Sequence, residues 1–110
     1  MMERAHKYLY DILYAIEMIE DFLSETTSFT AYAGDLKTKS AVERQLGIIG
    51  EAVNKFEKEN TEQLLSHSRE IVNFRNRLIH AYDSIDDSVV WAIKTNHLPL
   101  LKEEVGDILK

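Results

Sequence analysis

The sequence predicts an all-α protein, an up-and-down four-helix bundle with a short extra C-terminal helix. Apolar residues recur at steps of three and four along most of the chain, which is the period of an amphipathic helix. No segment shows sustained alternation of apolar and polar residues, so no strands are expected. The 110 residues contain no long polar or Pro/Gly-rich stretch. We therefore expect residues 1–110 to form a single domain.

Two long apolar stripes mark the first two long helices, predicted over residues 4–25 and 36–59. The stripes consist of Leu9, Ile12, Ile16, Ile19 and Leu23 in the first helix and of Val42, Leu46, Ile49, Val53 and Phe56 in the second. Residues 26–34 are rich in Thr, Ser and small side chains and are predicted to be a connecting loop. Asp35 is placed to cap the second helix.

Two glycines, Gly47 and Gly50, lie inside the second predicted helix. Each costs a helix interior about 1 kcal/mol relative to alanine. Close approach of a neighbouring helix would offset this cost. We expect that neighbour to belong to the same bundle, and a seam between two copies of the chain is the alternative.

The C-terminal half carries two further helical regions. One is predicted from Asn60 toward Tyr82, with an interruption near residues 66–68. The other follows directly, and Pro99 is expected to stop or bend it because proline has no N–H to donate to the preceding turn. Residues 100–109 would then form the final short helix.

The composition is that of an ordinary globular protein, with 45% hydrophobic and 29% charged residues. The sequence has no cysteine, which excludes disulfides and thiolate metal sites. It also lacks an apolar run of about 18 residues and a signal-peptide pattern. We therefore expect a cytoplasmic protein without membrane association.

The net charge of −6 argues against a broad nucleic-acid-binding surface, which would be rich in Lys and Arg. Any RNA contact must then be local. Arg69, Arg75 and Arg77 form the one local concentration of positive charge, although scattered arginines on a solvated helix face would look the same.

A group of polar side chains is predicted near the end of the third helix. Around an ideal helix Asn76, His80 and Asp83 share one stripe, and Arg75 lies about 140° from His80, within reach of a long guanidinium. Phosphodiester cleavage without a metal needs a proton-transfer group and a cation beside the phosphate, which histidine and arginine can supply. The alternative is a histidine that only caps the helix end.

The residues from Arg75 to Asp83 resemble the Arg-x4-His-x-Tyr motif of the HepT-like toxins of the HEPN superfamily. Further matching segments are Asp11-Ile12-Leu13, Ala15-Ile16, Ala41-Val42-Glu43-Arg44, Ile48-Ile49-Gly50-Glu51-Ala52, Trp91 and Leu98-Pro99, so the resemblance spans nearly the whole chain. One departure is Ser66-His67-Ser68, where many relatives carry an apolar-Pro-Trp run. We expect His67 to be a solvent-exposed loop histidine and not a second catalytic imidazole.

The resemblance implies a toxin of a toxin–antitoxin system that dimerises, so that two motif segments form a composite ribonuclease site. Arg75 and His80 would be catalytic, and Asn76 would orient groups or contact phosphate. Asp83 would either hold His80 in orientation or cap the helix turn. Tyr82 resembles the position at which a minimal nucleotidyltransferase antitoxin of the MntA type attaches AMP and silences the toxin; a core aromatic is the other interpretation. The expected enzyme is a homodimeric, metal-independent endoribonuclease that acts on RNA, with no cofactor and no bound metal.

Two other classes of protein remain open. The chain would fit a non-catalytic subunit that serves as substrate or scaffold of a small nucleotidyltransferase, as Tyr82 and the net acidity suggest. It would also fit a generic helical dimerisation module.

Overall fold

The computed structural model describes residues 2–59 and 65–110; the side chains of Met2, Glu3 and Tyr82 lie outside the described part. Its helices are α1 (Met2–Phe22), α2 (Phe29–Ala33), α3 (Leu36–Glu59), α4 (Ser68–His80), α5 (Asp87–Ala92) and α6 (Leu98–Leu109). A 3-10 turn spans Tyr82–Ser84, and a π-helical turn, Ile93–His97, joins α5 to α6. No strand occurs in the two described ranges. The predicted all-α bundle is confirmed.

The long helices α1, α3 and α4 alternate in direction. Arg4 at the start of α1 lies 3.5 Å from Glu59 at the end of α3, so these two helices are antiparallel. α4 also packs on α3 and is antiparallel to it, because Gly47 is opposite Leu78 and the more C-terminal Gly50 is opposite Ile71. This alternation is the predicted up-and-down arrangement.

α6 packs against α1, and the Nζ of Lys102 donates to a carboxylate oxygen of Glu20 at 2.9 Å across that interface. The core lies between these helices and is contiguous. All ten residues of the two predicted stripes are buried in it. The other fully buried side chains of the core include Tyr32, Val90, Leu101 and Val105. No helix in the described ranges is long and apolar enough to cross a bilayer.

The segment predicted to be a loop contains the short helix α2. Ser28 begins it: its Oγ accepts a hydrogen bond from the backbone N–H of Ala31 at 3.1 Å. Tyr32 is fully buried, and its ring centroid lies 5.4 Å from that of Trp91. A five-residue helix is unstable alone, so this tertiary contact is what holds α2 in place.

α3 begins and ends where the sequence predicts. Asp35 caps it as expected, accepting hydrogen bonds from the backbone N–H and the hydroxyl of Thr38 at 3.1 and 2.7 Å. These bonds lower the pKa of Asp35. α4 begins at Ser68; the predicted start of a helical region at Asn60 lies outside the described residues.

Pro99 is accommodated without a break in the helical path. The N–H of Leu98 donates to the carbonyl of Ile93, five residues back, which is the bond of a π-helical turn. Pro99 then occupies the first turn of α6, where a backbone N–H has no partner to lose. The final helix therefore begins at Leu98, not at residue 100 as predicted.

Candidate active site on helices α3 and α4

α4 presents two faces. Ile71 and Phe74 are buried and Leu78 is half-buried, so this face packs on the core as the sequence predicts. Asn76 and His80, on the predicted polar stripe, are exposed. The helix therefore places the candidate residues beside solvent while its apolar face fixes it to the bundle.

At Gly50 the helix α4 lies tight against α3. A Cβ atom at this position would overlap the Cβ of Arg75 and would lie 3.0 Å from its Cγ and 3.1 Å from the carbonyl oxygen of Ile71. The side chain of Arg75 thus leaves α4 directly against the backbone of α3. The predicted close packing within the bundle is confirmed at Gly50. At Gly47 a Cβ would only make ordinary contact, 3.7 Å from Leu78.

The guanidinium of Arg75 is held on two sides. Its Nη2 donates to Oε1 of Glu51 on α3, and its Nη1 donates to Oδ1 of Asn76 at 2.8 Å. The other carboxylate oxygen of Glu51 lies 3.8 Å from Nζ of Lys55. The side chain of Arg75 is 23% exposed, so it is partly sheltered yet open to a ligand.

Glu51 is a site residue that sequence reasoning missed. It belongs to the segment that carries the family resemblance, yet no role was assigned to it. The sequence feature that could have pointed to Glu51 is its position directly after Gly50. A glycine inside a helix often indicates where a neighbouring helix comes close. A long acidic side chain next to that point is able to reach the neighbour.

His80 is the last residue of α4 and is exposed. Asp83 lies in the following 3-10 turn and is exposed as well. Among the residues that the structure describes, no hydrogen bond joins His80 to Arg75 or to Asp83. One chain thus brings Arg75, Asn76 and Glu51 together and leaves His80 apart from them. The side chain of Tyr82 is not described, so its modification stays a prediction.

A groove of about 630 Å³ lies between α1, α3 and α4 beside Arg75. Its lining combines the cations Lys7, Arg44, Lys55 and Arg75, the carboxylates Asp11, Glu43 and Glu51, and the apolar residues Ile48, Ala52, Leu78 and Ile79. Ile48 is 36% exposed and Ile79 is 56% exposed. Burial raises the pKa of Glu43, and the charge of Asp87 adds to that shift. The groove therefore offers apolar contact area bordered by both signs of charge.

His67 lies in the turn before α4, which agrees with the expected loop position, but its side chain is only 34% exposed. It is half-buried with φ 60° and stacks on His97, with ring centroids 4.2 Å apart and planes 12° from parallel. Its Nδ1 lies 3.5 Å from a carboxylate oxygen of Glu70. Burial lowers the pKa of His97, and the neighbouring His67 lowers it further. Within residues 2–59 and 65–110, no three or more His, Asp and Glu side chains are grouped as a metal site.

The fold and the candidate site together define an all-α bundle whose third long helix carries Arg75 and ends in His80. The family model described as "HepT-like: Ribonuclease HepT-like" matches residues 12–108. The chain therefore belongs to the ribonuclease HepT-like family and is a ribonuclease of the HEPN type, which confirms the resemblance seen in the sequence.

Curated relatives cover nearly the whole chain. "Probable ribonuclease HepT" of Thermococcus cleftensis is 42% identical over 114 residues, 99% of this chain and 100% of the relative. A "Putative RNase" of Methanocaldococcus jannaschii is 34% identical over 94% of this chain and 85% of its own length. A "Putative RNase" of Caldanaerobacter subterraneus subsp. tengcongensis is 32% identical over 99% of this chain and 97% of its own length. No solved structure matches the chain.

Proposed function

We propose that the chain is the toxin of a toxin–antitoxin pair, a metal-independent endoribonuclease in which Arg75 and His80 cleave RNA in a site shared by two copies. The geometry around Arg75 carries this proposal. Its guanidinium is fixed by Glu51 and Asn76, while His80 is exposed at the end of the same helix. A second copy would bring an imidazole opposite the fixed guanidinium.

The two groups suit transesterification of an RNA phosphodiester. The 2′-oxygen bonds to the adjacent phosphorus as the bond from phosphorus to the 5′-oxygen breaks, giving a 2′,3′-cyclic phosphate and a 5′-hydroxyl. His80 accepts or donates a proton, the role that imidazole side chains most often take in acid–base catalysis. Arg75 stabilises the charge that builds up on the phosphate oxygens.

We assign the groove beside Arg75 to the contact between the two copies. Exposed Ile48 and Ile79 supply an apolar centre, and the surrounding charged side chains supply a polar rim, as is usual at protein interfaces. Both signs of charge in one patch allow it to pair with itself about a two-fold axis. Ile79 directly precedes His80, so a copy docked here carries its own helix end into the site.

Cleavage of RNA in EDTA tests the proposal. The purified protein is incubated with a labelled single-stranded RNA, and mass spectrometry identifies the product ends. His80→Ala is expected to abolish cleavage and leave the circular dichroism spectrum and the oligomeric state unchanged. His6→Ala, on α1, serves as the matched control. Undiminished cleavage by the His80→Ala protein would remove His80 from the mechanism.

Silencing by a nucleotidyltransferase is the second part of the proposal. The Tyr82 hydroxyl would attack the α-phosphorus of ATP, form a phosphodiester to AMP and release pyrophosphate. Each AMP adds a negatively charged phosphate two residues from His80, where it competes with RNA. Mass spectrometry after incubation with such an enzyme and ATP is expected to show adenylated Tyr82, and Tyr82→Phe is expected to stay unmodified.

The alternative is a non-catalytic partner subunit, which the net charge of −6 favours because it disfavours RNA binding. The adenylation experiment, combined with the cleavage assay, separates the toxin from the partner subunit. Adenylation at Tyr82 in a protein that cleaves no RNA before modification would support the partner subunit.

A further inference from the structure

We propose that Glu51 of α3 is a positioning residue for RNA cleavage, which holds the guanidinium of Arg75 in the orientation that receives the phosphate. The inference rests on the proposed function and deepens it. It is carried by the direct contact between Glu51 and Arg75, which joins two helices at the candidate site.

The stem of Arg75 is fixed before its charged head is considered. Its Cβ and Cγ pack against the backbone of Gly50, where any side chain would overlap them. A side chain so confined at its base can vary only at its outer torsions. The contacts of the head therefore decide where the charge lies.

The head is held by acceptors on two different helices. Glu51 on α3 accepts from Nη2, and Asn76 on α4 accepts from Nη1 at 2.8 Å. Two acceptors on separate nitrogens fix the plane of the guanidinium, because its donors form a rigid fork. A guanidinium has five N–H donors, so three are left for an incoming phosphate.

The carboxylate of Glu51 does not cancel the positive charge of the site. Nζ of Lys55 lies 3.8 Å from its second oxygen, so Arg75, Glu51 and Lys55 together carry one net positive charge. An anion that approaches Arg75 therefore still meets an attractive field. Glu51 orients the cation, and Lys55 offsets the cost of having an acidic side chain beside a phosphate site.

The kinetic effect separates positioning from two other roles. If the pair served stability alone, Glu51→Ala would change the free energy of unfolding and leave the cleavage rate of the folded protein unchanged. A pair that sequesters Arg75 from RNA predicts faster cleavage once Glu51 is removed. Positioning predicts a lower kcat with little change in KM, since orientation matters most in the transition state.

The test compares Glu51→Ala, Glu51→Gln and the control Glu20→Ala with the unsubstituted protein and with His80→Ala. Glu20→Ala removes another exposed ion pair between helices, the one to Lys102, far from the site. We expect Glu51→Ala to lower kcat up to about 100-fold. Glu51→Gln retains an acceptor for Nη2 and is expected to lose less than about tenfold. Glu20→Ala is expected to match the unsubstituted protein.

Three kinetic outcomes overturn the inference. Equal or higher kcat in Glu51→Ala, with His80→Ala inactive, would overturn it alone. An equal loss in Glu51→Gln and Glu51→Ala, with both folded, would show that the hydrogen bond is not what matters. Absence of cleavage by the unsubstituted protein would overturn the proposed function and the inference with it.

A measurement without RNA keeps the inference testable if Glu51→Ala does not fold. Nitrogen-15 NMR of the arginine side chains reports how fast each guanidinium rotates about its Nε–Cζ bond. Arg75 is expected to rotate slowly in the unsubstituted protein and faster in Glu51→Gln, because a neutral acceptor holds it less strongly. Equally fast rotation of Arg75 and exposed Arg77 in the unsubstituted protein would show that Glu51 does not hold Arg75.

Discussion

The backbone of Gly50 on α3 lies tight against the Cβ and Cγ of Arg75 on α4. The neighbours that a Cβ at Gly50 would meet are the Cβ and Cγ of Arg75 and the carbonyl oxygen of Ile71. None of these is the free end of a flexible side chain. Gly50 therefore determines both how tightly α3 and α4 pack and where the side chain of the candidate catalytic Arg75 leaves α4.

Gly50→Ala is expected to destabilise the protein by about 1–3 kcal/mol, because α3 and α4 must separate to admit the methyl group. Gly106→Ala is the matched control: Gly106 lies inside α6, and a Cβ there would have nothing within 4 Å. Alanine at that position is expected to stabilise the protein by about 1 kcal/mol, the difference in helix propensity. Urea unfolding measures both. Similar changes in the two variants would contradict the close contact at Gly50.

Arg75→Lys is expected to lower RNA cleavage by at least about 100-fold even though the charge is kept. A lysine has three donors on a single nitrogen and no planar fork, so Glu51 and Asn76 cannot fix an orientation of its charge toward the phosphate. Arg77→Lys, at an exposed position on the same helix, is the control and is expected to cleave RNA nearly as well as the unsubstituted protein. The check is the cleavage rate of each variant at saturating RNA. Near-normal activity of Arg75→Lys would show that the planar guanidinium is not needed.

The free energy of unfolding is expected to fall as the pH drops below 6.5, the ordinary pKa of histidine, because the pKa of His97 is lowered in the folded protein. In that range the unfolded chain binds a proton that the folded chain does not, so stability decreases with decreasing pH. The lowered pKa of Glu70, which also faces His67, adds a loss only below its ordinary value of 4.5.

Urea unfolding between about pH 5 and pH 8 checks this dependence. His97→Gln is expected to flatten the curve between about pH 5 and 6.5, since glutamine does not titrate there. The same pH dependence in His97→Gln and in the unsubstituted protein would contradict the lowered pKa of His97.

Ile79→Glu is expected to disrupt the proposed dimer and to reduce cleavage, because it places a charge at the apolar centre of the proposed seam. The control is Leu100→Glu. Leu100 is an apolar residue of similar size on α6; it is 48% exposed and does not line the groove. Sedimentation velocity gives the oligomeric state. An Ile79→Glu protein that remains dimeric would place the seam elsewhere.

The periodicity of the sequence predicted the long helices well. The stripes of α1 and α3 are buried as expected because a repeat of three and four residues over many turns leaves one helical face apolar, whatever packs on it. The short helix α2 was missed for the opposite reason. Its stability depends on Tyr32 packing against Trp91, a partner distant in sequence.

The candidate site was predicted in part. The motif pointed to Arg75 and His80, which remain predicted catalytic residues. Glu51 was not predicted because its contact with Arg75 exists only once Gly50 has brought the two helices together. The exposure of His67 was overestimated because its stacking on His97 also joins distant segments.

The π-helical turn at Ile93–His97 has a consequence for how this chain can vary in length. A turn whose hydrogen bonds reach five residues back holds one residue more than an α-helical turn, whose bonds reach four residues back. Deleting one residue from Ile93–His97 is therefore expected to restore a regular α-helix and to leave Leu101 and Val105, which are fully buried, on the buried face of α6. A deletion inside α6 itself would turn the residues after it by about 100°. The wide turn thus gives the chain a position inside the bundle where its length can change while the last helix still packs on the first.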